Sequence, residues 1–226
     1  MNELARMRLL QIASQAFPIG GYSHSQGLES AIEHGLVCDE ASVLRWVTDV
    51  LSFSLGSYEV HMLKAMADAW GTGDERQLHA LNDQFLASRE TAQLRSATVQ
   101  MGYSMRALVG VLPNMPSALL KLLTAMEEPT LPCVWSGTAN AWSIEPLDSM
   151  AAYMWSWAEN QVLVAIKSVP IGQSSGQRIL LEVGAQIAKL VSHWQDQENH
   201  MQSNFAPGLA ILAAQHENQY SRLFRS

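Results

Sequence analysis

Residues 146–167 read PLDSMAAYMWSWAENQVLVAIK and indicate a long, strongly apolar helix. Pro146 suits the first turn of a helix, where a backbone N–H would have no partner in any case. Glu159 and Asn160 interrupt the most apolar part, Met150 to Ile166, which is also shorter than the roughly 20 residues that span a bilayer. We therefore predict that this stretch belongs to a helical domain and is not a membrane span.

On the N-terminal side of this stretch, apolar residues also recur at helical spacing, and prolines or glycines separate the segments. The predicted helices are a short one around Leu4 to Gln11, one opening with capping-box spacing at Ser23 to Gln26 and closed by Gly35, one capped by Asp39 that we expect to continue past Gly56 to Trp70, one restarting at Asp74, one from Arg89 to Leu112, and one from about Pro116 to Glu127.

The C-terminal half continues the pattern after a break at residues 128–132. The small-residue segment Val134 to Ala141 receives no assignment, whereas a long helix is predicted from about Ser174 to Glu198 and a last one after Pro207. The chain has no convincing alternating pattern of a strand, and its breaks are short. The sequence thus predicts an all-α fold, with residues 1–226 forming a single compact domain of about seven to ten helices.

Composition and charge argue against several classes of protein. Hydrophobic residues make up 48% and charged residues 15% of the chain, so either the core is large or part of the surface is apolar and meets a partner. A net charge of −7 without a cluster of Lys and Arg argues against binding nucleic acid or an anionic membrane. Cys38 and Cys133 form no disulfide framework, and the N-terminus lacks a signal-peptide pattern, so we expect a cytoplasmic protein.

Two motifs raise the question of catalysis or metal binding. Residues 172–176 match G-x-S-x-G, but a nucleophile elbow needs a strand before Ser174, and the preceding segment is predicted to be helical. No P-loop sequence is present either. His193, Asp196 and His200 could share one face of the predicted long helix, but a metal site needs further ligands, and a solvated polar face is the preferred explanation.

The C-terminal tail, residues 217–226, combines aromatic, apolar and arginine residues. Aromatic and arginine residues such as Tyr220, Phe224 and Arg222 are typical of binding hot spots, and Leu223 lies among them, although a frayed terminus has the same composition. Tyr22 lies in a glycine-rich turn and is either a core residue or a partner contact. Lys167 complements the negative end of its helix, which is a sufficient structural reason for a cation there.

Four separated blocks resemble one known family, that of urease accessory protein F. They are residues 16–29 (AFPIGGYSHSQGLE), residues 89–102 with Arg89, Glu90, Thr91, Leu94, Arg95 and Gly102, residues 155–173 with WSW, ENQ and KSVPIGQ, and the terminal residues 216–226 (HENQYSRLFRS). The blocks occur in the family's order and cover most of the chain. The segment Glu128 to Cys133 departs from the family pattern, so no role is carried onto it.

The resemblance implies a helical protein that is not an enzyme, whose terminal segments become ordered on a partner. Members of the family bind urease accessory protein D (called H in some organisms), dimerise within that complex, recruit the GTPase urease accessory protein G, and dock on apo-urease for nickel insertion. By position, the resemblance assigns contacts that recruit the GTPase to Tyr22, in the N-terminal glycine-rich turn, and to Arg222, in the tail. It assigns regulation of the GTPase to Lys167. It implies no stably bound cofactor, since nickel and GTP are handled by the partners.

Two other hypotheses remain for comparison with this scaffold role. A helical serine hydrolase would depend on Ser174, and a direct nickel carrier would depend on His193 or His200. The sequence leaves open whether nickel passes through the protein or past it, and whether the GTPase is activated or restrained.

Overall fold

The computed structural model describes residues 1–196 and 203–225, with side chains given through Trp194 in the first range, and all regular elements in these residues are helical. The α-helices are α1 (Glu3–Ala13), α2 (Leu28–Glu33), α3 (Glu40–Val50), α4 (Val60–Thr72), α5 (Glu75–Ala87), α6 (Ala92–Val111), α7 (Ser117–Ala125), α8 (Leu131–Ala141), α9 (Pro146–Ser168), α10 (Gln173–Asp196) and α11 (Pro207–His216). A 3₁₀ turn covers Gly21–Ser23, and a π-helical segment covers Leu51–Glu59.

The helices α3 and α4 and the π-helical segment form one continuous rod, as the sequence predicted for the stretch beyond Gly56. When this rod is counted as one helix, the described residues hold ten helices, which is within the predicted range. Asp39 begins the rod with a capping box to Ser42, and Gly73 ends it in a left-handed conformation. Gly56 lies inside the π segment, where an added Cβ would come within 2.8 Å of the Leu51 carbonyl oxygen.

Helix α9 lies at the centre of the fold, as expected for the most apolar stretch. It packs against α10, α1, α2, α3 and α4, and buried side chains occur on it from Ser149 to Ala165. Pro146 stands in its first turn, as predicted. Buried side chains from both halves of the chain join one hydrophobic core, which confirms the prediction of a single all-helical domain.

Helix α8 occupies the segment that received no assignment from the sequence. All its residues from Leu131 to Ala139 are buried, and it packs against α4 and α6. The loop before it passes so close to α6 that a Cβ on Gly102 would lie 2.0 Å from the Pro129 carbonyl oxygen. Glycine at position 102 is therefore a condition for seating α8 against the core.

Helix α2 begins at Leu28, two residues after the end of the predicted capping box, so the predicted start of this helix was wrong. Gln26 and Gly27 adopt positive φ angles of 51° and 88°, and the helix starts only at Leu28. Backbone carbonyls of the preceding residues are engaged elsewhere, because Asn160 donates to the His24 carbonyl and Gln161 to the Ser25 carbonyl. The first turn of a helix starting at Ser23 would need these two carbonyls. The Ser23 hydroxyl, which a capping box would direct at the Gln26 N–H, instead donates to the Gly20 carbonyl at 2.7 Å.

Among the described residues, no helix is both long enough and apolar enough to cross a membrane. Cys38 is exposed and Cys133 is buried, and both are free thiols. Burial raises the pKa of the Cys133 thiol to about 12, so this group remains protonated and inert at neutral pH.

Candidate functional site

The C-terminal tail folds back onto the domain after α11. The backbone N–H groups of Leu223 and Phe224 donate to the Glu29 carboxylate at 2.6 and 3.2 Å. The Arg225 N–H donates to the Ser23 carbonyl at 2.8 Å, so the end of the tail lies against the loop that carries Tyr22. Phe224 is only 8% exposed and joins the hydrophobic core. The tail is thus held by one side chain in the core and three backbone hydrogen bonds.

Glu29 and His216 form the centre of this attachment, and we call the pair the tail latch. His216 is fully buried, and its Nε2 lies 2.8 Å from Glu29 Oε2. The amide of Gln93 lies 2.9 Å from His216 Nδ1, and turning that amide round lets its nitrogen donate to Nδ1. In that arrangement a neutral imidazole donates to Glu29 through Nε2 and accepts from Gln93 through Nδ1.

The latch concentrates the attachment of the tail on one carboxylate. Glu29 is 6% exposed and accepts three hydrogen bonds, one from the imidazole and two from tail N–H groups. A buried carboxylate is costly unless its lone pairs are satisfied, so the tail and the carboxylate stabilise one another. Neither residue was singled out from the sequence, because a glutamate in the first turn of a helix is ordinary there.

Four of the predicted site residues form an exposed group around the latch, which we call the docking patch: Tyr22, Tyr220, Arg222 and Leu223. Tyr22 is 62% exposed, Leu223 is 73% exposed, and Tyr220 is completely exposed. Arg222 is exposed as well. The fifth, Phe224, does not share this surface, since its ring is buried beneath the tail. The structure thus divides the tail into side chains that face outward and one that holds it down.

Lys167 lies apart from the tail, at the C-terminal end of α9, and is exposed. Asn160, seven residues earlier on the same helix, donates to the His24 carbonyl in the Tyr22 loop. Seven residues of helix correspond to about 10 Å along the axis. Lys167 thus lies about two helical turns beyond that contact, at the helix end that its charge complements.

The loop of Tyr22 is held from below by α9. Three side chains of α9 donate hydrogen bonds to this loop. Asn160 and Gln161 donate to backbone carbonyls, and the Trp157 indole N–H donates to the Gln26 side chain. His24 is 3% exposed, and burial, followed by the charge of Arg225, lowers its pKa to about 4. The histidine is neutral at pH 7, so it adds no second positive charge beside Arg225.

Among the residues that the structure describes, the candidate catalytic and metal-binding side chains form no recognisable site. Ser174 is exposed in the first turn of α10 and follows a helix and a short turn, so the strand of a nucleophile elbow is missing there. In the part of the chain that the structure describes, no group of three or more potential metal ligands occurs. Of the proposed triad, His200 lies outside the described residues, as does the side chain of Asp196.

Comparison with known proteins agrees with these features of sequence and fold. The model of the UreF family matches residues 37–184. The chain belongs to the UreF family. Urease accessory protein UreF of Dechloromonas aromatica is 50% identical over 97% of this chain and 96% of its own length. The UreF proteins of an Azoarcus species and of a Janthinobacterium species are 46% and 41% identical over 99% and 100% of this chain.

The family model and the relatives cover different parts of the chain. The family model ends at residue 184, before the tail, whereas the Janthinobacterium relative aligns over the whole chain, tail included. The relatives are named as accessory proteins of urease and not as enzymes. Membership of this family thus agrees with the absence of a nucleophile elbow around Ser174.

Proposed function

We propose that this protein acts in urease maturation as an accessory protein without catalytic activity. In this proposal it binds urease accessory protein D (or H), and the resulting complex recruits the GTPase urease accessory protein G and docks on apo-urease. The GTPase then delivers nickel to the urease site. The proposal rests on membership of the UreF family and on the family resemblance of the tail.

The observation that carries the proposal is the docking patch itself. An exposed tyrosine, a leucine and an arginine lie on the tail, which the tail latch holds, and a second exposed tyrosine lies on the loop that α9 holds. Aromatic and arginine side chains supply much of the binding energy at protein interfaces, and a pre-ordered backbone reduces the entropy lost on binding. A scaffold that recruits a second protein requires this kind of surface.

The remaining assignments follow from the same resemblance. Lys167, at the C-terminal end of α9, regulates the GTPase once it is recruited. The protein works as a homodimer within the complex, in the cytoplasm, and binds no cofactor stably, because its partners carry nickel and GTP. A nickel-carrier role would require ligands beyond His193, and the described residues offer no cluster of them.

The test is assembly of the purified proteins. The chain is mixed with the D-type and G-type accessory proteins in the presence of GTP and nickel, and complex masses are measured by light scattering. Arg222→Ala should lose the GTPase from the complex while retaining the D-type protein. Arg76→Ala, which removes an exposed arginine of α5, is the matched control and should assemble normally.

Two results would contradict the proposal. Failure of the wild-type chain to bind the D-type protein in any nucleotide state would remove the scaffold role. Equal recruitment of the GTPase by Arg222→Ala and wild type would remove the docking patch as its binding site. The isolated chain should also hydrolyse neither GTP nor simple esters, and turnover abolished by Ser174→Ala would favour the hydrolase instead.

A further inference from the structure

Gln93 links helix α6 to both ends of the C-terminal tail. Its amide nitrogen lies 2.9 Å from His216 Nδ1, and its amide oxygen lies 3.2 Å from the N–H of Glu217, the first residue of the tail. Towards the other end of the tail, His216 contacts the Glu29 carboxylate, which accepts two tail N–H groups. One side chain thus contacts the start of the tail directly and its end through a chain of hydrogen bonds.

The surroundings of the Gln93 amide fix its orientation. The Ala213 carbonyl oxygen lies 3.3 Å from the amide nitrogen and can only accept, whereas the Glu217 N–H can only donate. The reverse orientation would set oxygen against oxygen and N–H against N–H. The nitrogen therefore faces Ala213 and His216, and the oxygen faces Glu217.

The orientation of this amide determines where His216 carries its ring proton. Because the Gln93 nitrogen donates to Nδ1, Nδ1 presents a lone pair and the proton lies on Nε2. Nε2 lies 2.8 Å from Glu29 Oε2 and donates to it. With the proton on Nδ1 instead, two buried acceptors would face each other at this distance, which costs free energy. Gln93 thus keeps the ring in the form that holds Glu29.

The position of Gln93 follows from the start of α6. The Thr91 side chain caps this helix and accepts the Leu94 N–H at 3.1 Å, so Gln93 lies in the first turn. Helix α6 packs against α11, which ends at His216. Gln93 also falls within residues 89–102, a block of the family resemblance to which the proposed function gives no role.

We propose that Gln93 is a positioning residue for recruitment of the GTPase. It lies outside the docking patch and acts through His216 and Glu29, by keeping the tail in the conformation that presents Arg222 and Leu223 outward. This role rests on the proposed function, in which the docking patch binds the GTPase. A partner meets the complete patch only when the tail is closed, so the closed fraction scales the apparent affinity.

The first test uses the full chain without partners. Gln93→Leu removes both the donor to His216 and the acceptor beside Glu217, and Gln100→Leu makes the same change at an exposed glutamine of α6. Hydrogen exchange of the Leu223 amide should accelerate about tenfold in Gln93→Leu, the ratio expected for one lost buried hydrogen bond. The urea midpoint should stay close to that of wild type, and Gln100→Leu should change neither quantity.

The His216 ring gives a signature that a merely space-filling role for Gln93 would not produce. In mildly alkaline buffer, ¹⁵N NMR should find the ring proton on Nε2 in wild type, with the signal assigned by its absence in His216→Gln. A ring proton on Nδ1 in wild type, or unchanged exchange of the tail in Gln93→Leu, would overturn the proposal.

A conservative variant, Gln93→Glu, tests the chain of hydrogen bonds by rescue. One carboxylate oxygen still accepts the Glu217 N–H, and the other faces Nδ1, which must then carry a proton. Both ring nitrogens of His216 should give N–H signals, and the net charge of the cluster stays the same because the added proton offsets the added carboxylate. Tail protection should recover most of what Gln93→Leu loses. Equal loss in both variants would mean that the shape of glutamine, and not its hydrogen bonds, holds the tail.

The second test measures recruitment itself. The chain in complex with the D-type protein is immobilised, and association and dissociation of the G-type GTPase are followed with time. Gln93→Leu should lower the association rate constant by about twofold to tenfold and leave dissociation nearly unchanged, because fewer molecules present the tail but each bound one makes the same contacts. Arg222→Ala removes a contact and should act mainly on dissociation, while Gln100→Leu should match wild type.

The results separate this role from the proposed function. If wild type recruits the GTPase and Gln93→Leu does so at the same rate, Gln93 has no positioning role and the proposed function stands. If wild type recruits no GTPase, the proposed function fails and the recruitment role of Gln93 fails with it. Hydrogen exchange and the ring signals then still decide whether Gln93 holds the tail.

Discussion

Helix α8 and the C-terminal tail are both fixed to the rest of the molecule, but by opposite means. Helix α8 is buried from Leu131 to Ala139, and the loop before it is held by Asn82, which bonds both the Glu128 carbonyl and the Thr130 N–H. The tail exposes most of its side chains and depends on Phe224 and one carboxylate, Glu29. The attachment of α8 is redundant, whereas that of the tail is concentrated in one place.

This difference indicates which substitutions should affect the stability of the whole domain and which should affect only a local segment. A change at α8 disturbs the common core and therefore the whole domain. A change at the latch frees a surface segment while the core stays folded. Four predictions test the contrast.

The largest effect is expected from Gly102→Ala, beneath the loop that leads into α8. The new Cβ would lie 2.0 Å from the Pro129 carbonyl oxygen, so backbone must move. We expect a loss of about 3 kcal/mol or more in the free energy of unfolding, measured with urea. Gly110→Ala on the same helix has open space around it and should gain about 0.5–1 kcal/mol. Similar stabilities of the two variants would mean that the loop is not tightly seated.

The second effect is local and concerns Glu29→Gln. An amide cannot accept from the imidazole and both tail N–H groups as the carboxylate does, so the tail should open more readily by about 1–3 kcal/mol. Hydrogen exchange of the Leu223 and Phe224 amides should accelerate, with little change in the urea midpoint. Glu33→Gln, an exposed glutamate of the same helix, is the control. Cooperative loss of the whole fold in Glu29→Gln would show that the tail belongs to the core.

The third prediction concerns the pH dependence of stability that arises from His24, in the loop between the tail and the core. The pKa of His24 is lowered to about 4 in the folded state, from an ordinary value of 6.5. Because a lowered histidine pKa favours the neutral form, its stabilisation is complete above pH 6.5 and declines as the pH falls toward 4. Between pH 7 and pH 5, the free energy of unfolding should fall by about 2 kcal/mol more in wild type than in His24→Gln. Parallel pH profiles of the two proteins would contradict this.

The smallest effect is expected where an ion pair is exposed. Arg178 contacts Glu40 through two hydrogen bonds of 2.8 and 2.6 Å, but its side chain is 60% exposed. Solvent screens such pairs, so Arg178→Ala should change the free energy of unfolding by less than about 1 kcal/mol. A thermal-unfolding midpoint that fell as far as in Gly102→Ala would show that this surface contact is part of the core's cooperativity.

The sequence was sufficient to predict most of the helices, because apolar periodicity, caps and breaks lie within a few residues of one another. Pro146 and Gly73 act through their own backbone geometry and Asp39 through a side-chain cap three residues away, and all three mark helix boundaries in the structure. The family resemblance singled out the tail and Tyr22 from contiguous motifs in the same way, and their role in partner binding stays a prediction.

The remaining features depend on contacts between distant residues. The capping-box pattern at Ser23 failed because the Ser23 hydroxyl donates to the Gly20 carbonyl, and because α9 takes the His24 and Ser25 carbonyls that the first turn of that helix would need. Helix α8 was missed because its small, apolar residues lack a polar face, although Thr130 before Pro132 was an available start signal. Glu29 and His216 are 187 residues apart, so no local pattern relates them.

The π-helical segment has a consequence for how the chain tolerates changes of length. Hydrogen bonds within it reach five residues back, as from the Val60 N–H to the Leu55 carbonyl, so it stores more residues per turn than an α-helix. Deleting one residue here would rotate Met62 and Met66 by about 100° relative to α3, away from the core. A deletion in the exposed turn after Val111 carries no such rotation. Comparing the thermal unfolding of the two deletion variants would show whether the rod tolerates a change of length. We expect the deletion in the rod to lower the unfolding midpoint more than the deletion in the turn.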